Sequence, residues 1–178
     1  MIADSSPASV LTLDAYAYEH QDPATAAWWT VIQMDPTRDV AVRTCAAVAN
    51  ARLGFPHGED FCFAVLRAGL LSSKDSDREH ALPESDRLAF AREIALDWLR
   101  ERLAAAAIEP PPFDVNFGAP QLEAAANAME TACKTLGALR PDVDATSLSS
   151  RIPETAPPGL DPRHWIVARE RCLRECLR

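Results

Sequence analysis

The sequence predicts an all-α fold, a compact bundle of about six to seven helices. Apolar side chains recur every three or four residues over long stretches, as they do on the buried face of a helix. No stretch sustains the two-residue alternation of a strand, and the high alanine content disfavours strands further. Aspartate-proline pairs also stand where helices are expected to begin.

These pairs, Asp22-Pro23, Asp35-Pro36 and Asp161-Pro162, each predict a helix start. The carboxylate can accept a hydrogen bond from a first-turn amide, and proline at the first position removes an amide that would lack a partner. Leu82-Pro83-Glu84 predicts a fourth start, because the helix dipole stabilises acidic residues in the first turn.

The apolar periodicity extends these starts into seven predicted helices. They cover residues 8–20, 23–33, 36–53, 59–72, 84–108, 120–139 and 162–178. The helices 36–53, 84–108 and 120–139 have clear apolar faces. In that order, their predicted core positions are Ala41, Cys45, Val48, Ala49 and Leu53; Leu88, Ala91, Ile94, Ala95, Trp98, Leu99 and Leu103; and Leu122, Ala125, Ala126, Met129, Cys133, Leu136 and Leu139. Gly54 predicts the end of the first of these. The alanines at 46, 47, 49 and 51 predict closely approaching helix axes.

The chain length predicts one domain over residues 1–178, because 178 residues can bury a sizeable core. Within it, residues 8–140 are expected to form the core helices. Residues 141–161 are rich in Pro, Ser and Thr and predict a long structureless tether. The C-terminal helix, 162–178, is then expected to dock after this tether.

Composition excludes several classes of protein. The net charge of −8 argues against nucleic acid, because phosphate binding needs a concentrated basic surface. No apolar run approaches the roughly 18 to 20 residues of a membrane span, and the N-terminus lacks a signal core. Five scattered cysteines predict free thiols instead of a disulfide framework. We therefore expect a cytoplasmic protein that binds neither nucleic acid nor membrane.

The segment HWIVARERCLRECLR at the C-terminus raises the question of a metal or redox site. Cys172 and Cys176 lie four residues apart, but a zinc site normally needs a second ligand pair, and His164 lies two helical turns before Cys172. Both cysteines fall on the same apolar stripe as Trp165. The pattern favours buried thiols, and we expect no metal and no cofactor.

The segment FPHGEDFCF is the richest in ligand-capable groups, with His57, Glu59 and Asp60 close together. The H-x-E spacing occurs in zinc deaminases, but their P-C-x-x-C partner is absent from this chain. A loop followed by a capped helix explains the same residues. Trp28 and Trp29 are adjacent, so on a helix one can be buried while its neighbour lies near the surface as a partner contact.

The first functional hypothesis is a protein-binding module without catalysis, such as an adaptor, a secretion chaperone or a toxin-neutralising immunity protein. Nucleophile elbows, glycine-rich phosphate loops and H-E-x-x-H motifs are all missing. We expect another protein as the partner, with a basic partner and a homodimer through the C-terminal helix both left open. The candidate binding residues are Trp28, Trp29, His57, Glu59, Asp60 and Trp165.

The alternative hypothesis is an enzyme or small-ligand carrier that uses a pocket between helices. His20, His57, Glu59 and Asp60 are the residues most able to perform acid–base chemistry there.

Overall fold

Helices account for all the regular secondary structure in the computed structural model, which describes residues 7–67, 82–114, 119–137 and 144–176. Eight α-helices and one short 3₁₀-helix lie in these ranges, and no strand does, so the predicted all-α fold is confirmed. None of these helices is both long and apolar enough to cross a membrane. In chain order they are α1 (Pro7–Glu19), the 3₁₀-helix (Pro23–Thr25), α2 (Ala26–Met34), α3 (Val40–Arg52), α4 (Pro56–Arg67), α5 (Leu82–Ala105), α6 (Ala119–Lys134), α7 (Ala145–Arg151) and α8 (Pro162–Glu175).

Two of the three aspartate-proline pairs begin a helix as predicted. Asp22 Oδ1 accepts from the amide of Ala24, 2.9 Å away, and starts the 3₁₀-helix that leads directly into α2. Asp161 Oδ1 accepts from the amide of Arg163 at 2.8 Å and starts α8. In both cases proline occupies the first helical position, where its missing amide costs nothing.

The prediction that a helix starts at Asp35-Pro36 is wrong by four residues. Asp35 Oδ1 accepts from the amide and the hydroxyl of Thr37, which closes a turn. Asp39, further along, accepts from the amide of Ala41 at 2.8 Å and is the residue that caps α3. Asp39 therefore caps α3, because the Asp35 carboxylate is already engaged in the turn.

Helices α3 and α5 end with the same hydrogen-bond pattern. At the end of α3, Phe55 donates its amide to Asn50 O at 2.9 Å, with Gly54 in the left-handed region at φ 88°. The predicted stop at Gly54 is therefore confirmed. The same pattern surrounds Ala107, at φ 56°, and ends α5 at Ala105, three residues before the predicted end.

The start of α4 and the end of α6 also differ from the prediction. The α4 helix begins at Pro56, three residues before the predicted start, because proline takes the first position. His57 and Gly58 therefore belong to its first turn and not to a loop. The α6 helix ends at Lys134, with Gly137 at φ 70° shortly after it, while the predicted core residue Leu139 lies outside the described residues.

The alanine-rich helix α3 lies at the centre of the fold, in contact with α1, α2, α4 and α5. Its alanines at 46, 47, 49 and 51 are all buried, as the predicted close packing requires. The closest approach described involves Gly58 of α4: a Cβ added there would lie 2.3 Å from Ala47 O and 2.5 Å from Ala51 N. Small residues on both sides therefore bring α3 and α4 into backbone contact.

Buried side chains form two apolar clusters that share α3. The first cluster lies mainly between α1, α2, α3, α7 and α8, with Val65 of α4 and Ala91 of α5, and includes Trp29 and Trp165. The second lies between α3, α4, α5 and α6, and includes Trp98 and Met129. The predicted core positions fall in these clusters or pack against them wherever they are described.

The tether predicted at 141–161 is not structureless. Residues 145–151 form α7, which begins where Asp144 Oδ1 accepts from the amide of Ser147 at 2.7 Å. Leu148 and Ile152, one helical turn apart, are both buried in the first cluster. The high Ser and Thr content concealed this short amphipathic helix. Residues 141–143 lie outside the described residues.

The helix α8 packs on α2 and α7 of the same chain. Its buried residues are Trp165, Ala168 and Cys172, which confirms the predicted apolar stripe at these positions. Cys176, the fourth member of the predicted stripe, is half-buried because it lies at the C-cap of the helix. Trp165 Nε1 also donates to Pro153 O at 3.0 Å, so the segment between α7 and α8 is fixed to α8 itself.

Candidate functional site

A buried polar network lies where α2, α3, α4 and α8 meet. Its members are polar side chains that face one another inside an otherwise apolar region. They are Thr30, Gln33, Asn50, His57, Cys172 and Glu175. All are buried except Glu175, whose carboxylate lies at the edge of the network. We refer to this group as the His57 network.

The imidazole of His57 is bonded at both nitrogens. Nε2 lies 2.8 Å from Thr30 Oγ1, and Nδ1 lies 2.6 Å from Glu175 Oε2. The backbone amide of His57 donates to the same carboxylate oxygen at 3.3 Å. These bonds join the first turn of α4 to the last turn of α8, 118 residues later in the chain.

Thr30 connects His57 to the rest of the network. Its hydroxyl donates to Ala26 O at 2.8 Å, and His57 Nε2 lies 2.8 Å from the same hydroxyl oxygen. Asn50 Nδ2 donates to Thr30 Oγ1 at 3.2 Å and to Gln33 Oε1 at 3.0 Å. Gln33 Nε2 in turn donates to the backbone oxygen of His57 at 2.9 Å. These mutual bonds offset the cost of burying the polar groups, although Asn50 Oδ1 is buried without a hydrogen-bond partner among the described residues.

The surroundings change the acidity of two groups on α8. Burial raises the pKa of Glu175, but the hydrogen bond and charge of His57, together with Arg171, outweigh it and hold the pKa below its usual range. Burial raises the pKa of the Cys172 thiol to about 12, despite the nearby Thr30 hydroxyl. Cys172 is therefore an unreactive thiol in the folded protein.

The order Thr30, His57, Glu175 reproduces the hydroxyl, imidazole and carboxylate sequence of hydrolase triads. Such a triad acts only when a substrate can reach the hydroxyl. Thr30 has 0% of its surface exposed and His57 has 1%, so both are sealed under α8. In this conformation the His57 network therefore holds helices together and performs no chemistry on a ligand.

A second polar feature is a half-open cleft of about 240 Å³ between α4, α5 and the end of α6. Its lining residues are Gly54, Pro56, Glu59, Asp60, Arg102, Lys134 and Gly137. Glu59 forms an ion pair with the guanidinium of Arg102. Arg102 Nη2 also donates to Gly137 O at 2.8 Å. We refer to this feature as the Arg102 cleft.

The residues singled out in FPHGEDFCF separate into these two environments. Glu59 and Asp60 line the Arg102 cleft, whereas His57 belongs to the His57 network and does not line the cleft. His20, the fourth residue of the predicted pocket, stacks on Tyr16 at 4.0 Å on the surface of α1. The structure therefore does not bring these four side chains into one pocket.

The predicted tryptophan contacts also separate. Trp29 and Trp165 are buried in the first cluster, where they offer no surface to a partner. Trp28 is half-buried and lies edge-on to Trp29, with ring centroids 4.6 Å apart. Within the described ranges, no three His, Cys, Asp or Glu side chains are grouped to hold a metal ion.

The first helix carries three large apolar side chains that are more than half exposed, among them Leu11 and Tyr18, the two most exposed of those described. Leu11, Tyr16 and Tyr18 are 58%, 51% and 55% exposed. Leu11, Ala15 and Tyr18 follow the i, i+4, i+7 spacing of one helix face, and Ala15 is exposed as well. We call Leu11, Ala15 and Tyr18 the α1 surface; Tyr16 lies outside this face and stacks on His20.

Sequence reasoning did not identify Thr30, Asn50, Arg102 or Glu175 as members of a site. A signal was present for two of them, because Thr30 and Asn50 are polar residues within apolar helix faces. Arg102 and Glu175 resemble ordinary surface charges in the sequence, and only their tertiary neighbours set them apart.

Comparison with models of known families, with curated proteins and with solved structures found no match to this chain. Function must therefore be inferred from the side chains themselves.

Proposed function

We propose that the protein is a protein-binding module and that the α1 surface is its contact with a partner. The observation that supports this is the exposure of Leu11 and Tyr18, each by more than half, on one face of α1. Exposed apolar side chains grouped on one face are characteristic of protein contacts, and tyrosine is enriched in them. The i, i+4, i+7 spacing suits an apolar groove that receives a helix.

Charge indicates the chemistry of the partner. The α1 helix contains Asp14 and Glu19 but no Lys or Arg, and the whole chain has a net charge of −8. Asp14 is already paired with Arg52 at 2.9 Å, which leaves Glu19 as the exposed charge beside Tyr18. The complementary surface is an apolar groove with a basic rim, because opposite potentials favour encounter and orientation.

The proposal is tested by placing a photoreactive amino acid at position 11 or 18 in cells and identifying the crosslinked protein. Position 146, on the exposed side of α7, is the matched control. We expect one protein to crosslink from positions 11 and 18 and not from 146. Failure to crosslink from either α1 position, or the same products from position 146, would contradict the proposal.

The crosslinked protein is then purified and its affinity measured for the wild type, Leu11→Asp and Tyr18→Asp. Both positions are exposed, so the variants should keep the wild-type melting temperature. We expect each to weaken binding by about 30-fold, as loss of a central interface side chain does. Unchanged affinity in both variants would exclude the α1 surface as the contact.

A further inference from the structure

The Arg102 cleft contains a buried charge with an unused donor. The Arg102 side chain is only 4% exposed, and it lies 5.8 Å from the centre of the Trp98 ring. Its Nε is buried and has no hydrogen-bond acceptor among the described residues. Leaving a charged donor unsatisfied is costly, and burial accordingly lowers the pKa of Arg102.

Groups of opposite charge face one another around Arg102. Glu59 pairs with the guanidinium at the floor of the cleft. Asp60 and Lys134 are exposed at its rim. The hydrogen bond that Lys134 donates to Glu130 is the main reason that the pKa of Lys134 is raised, and the charge of Asp60 contributes to the same shift. The cleft therefore carries two positive and two negative side chains within a small volume.

We propose that the Arg102 cleft binds a small zwitterion that carries both a carboxylate and an ammonium group, such as a free α-amino acid. The positive charges of Arg102 and Lys134 would attract the carboxylate, and Glu59 and Asp60 would receive the ammonium group. The volume of about 240 Å³ suits a molecule of this size, since pockets for drug-sized ligands begin at roughly 300 Å³. This site is separate from the α1 surface and does not depend on the proposed function.

The balance of charges favours a zwitterion over an ion of one sign. A simple anion would meet the carboxylates of Glu59 and Asp60, and a simple cation would meet Arg102 and Lys134. Each would gain one attractive pair of contacts and also a repulsive one. A ligand with both charges satisfies the two halves of the cleft together.

The test uses the full-length protein labelled with ¹⁵N and titrated with each of the twenty common amino acids. We expect at least one of them to shift the amide signals of Gly54, Asp60 and Gly137. The best ligand is then compared with two analogues that keep its side chain, one without the ammonium group and one without the carboxylate. Each analogue should bind at least about tenfold more weakly, because each loses a charged hydrogen bond.

Two variants locate the ligand in the cleft. Asp60→Asn and Lys134→Gln change exposed side chains, so the fold should persist, and each should weaken binding about tenfold. Asp97→Asn, on an exposed position of α5 outside the cleft, should bind like the wild type. The proposal is overturned if no amino acid shifts the cleft amides, if either analogue binds as tightly as its parent, or if neither cleft variant weakens binding.

Discussion

At the residue scale, Gly58 allows α4 to lie directly against the backbone of α3. Glycine inside a helix normally costs about 0.5–1 kcal/mol relative to alanine, so Gly58→Ala would stabilise an isolated α4. In the fold, however, the new methyl group would lie 2.3 Å from Ala47 O, which is backbone and cannot rotate away. The steric term outweighs the propensity, and we expect the free energy of unfolding to fall by about 3 kcal/mol in urea denaturation.

Gly159→Ala provides the matched control. Gly159 has a φ of 89° but nothing within 4 Å of an added Cβ, so this substitution introduces backbone strain without a clash. We expect it to cost about 1 kcal/mol. If Gly58→Ala cost no more than Gly159→Ala, α3 and α4 would be less closely packed than described.

At the element scale, local signals located most of the helices and missed those that depend on neighbours. Asp161-Pro162 and Gly54 located a start and an end correctly because capping involves only residues adjacent in sequence. Asp35-Pro36 failed because two nearby aspartates offered the same chemistry. The helix α7 was missed because its seven residues are mostly polar and need Leu148 in the core to be stable.

The docking of α8 should depend on pH through Glu175. Its pKa in the folded protein lies below the unfolded value of about 4.3, so the unfolded chain binds more protons in this range. The stabilisation is therefore complete above pH 4.3 and is lost as the pH falls through the folded-state pKa. At pH 7 we expect Glu175→Gln to lower the free energy of unfolding by roughly 1–2 kcal/mol.

Urea denaturation of the wild type and Glu175→Gln at intervals from pH 7 to pH 3 measures this effect. The difference between the two proteins should shrink as the pH falls. Glu170→Gln, on the exposed face of the same helix, should follow the wild type throughout. A difference for Glu175→Gln that stayed constant with pH would show that the carboxylate does not act through its charge.

At the scale of the whole molecule, α3 contributes residues to both apolar clusters and should make them unfold together. Trp165 is 2% exposed in the first cluster, so Trp165→Ala should cost about 3–5 kcal/mol. Because α3 is shared, we expect the most protected amides of the second cluster to lose the same free energy. Hydrogen exchange at Ala168 and at Leu99, one in each cluster, measures this directly.

Ile166→Ala is the control for this experiment, because Ile166 is the exposed neighbour of Trp165. It should change stability by less than about 0.5 kcal/mol. Loss of protection at Ala168 alone after Trp165→Ala would mean that the two clusters unfold as separate units.

The candidate sites were less predictable than the fold because they join residues that are far apart in the sequence. Helix faces repeat along the chain, so the burial of Cys172 and Trp165 could be deduced from spacing. The His57 network joins residues 118 positions apart, and the Arg102 cleft joins three helices. The sequence indicated that His57, Glu59 and Asp60 could perform acid–base chemistry, but it did not show that they lie in different environments.

The edge-on contact of Trp28 and Trp29 has an optical consequence. Two indole rings with centroids 4.6 Å apart and planes inclined at 74° are close enough for their electronic transitions to couple. The circular dichroism of the folded chain therefore contains an indole contribution on top of the helical signal. A helix content calculated from that spectrum alone would therefore be in error. In any variant, the same indole contribution would show whether the beginning of α2 keeps its native packing.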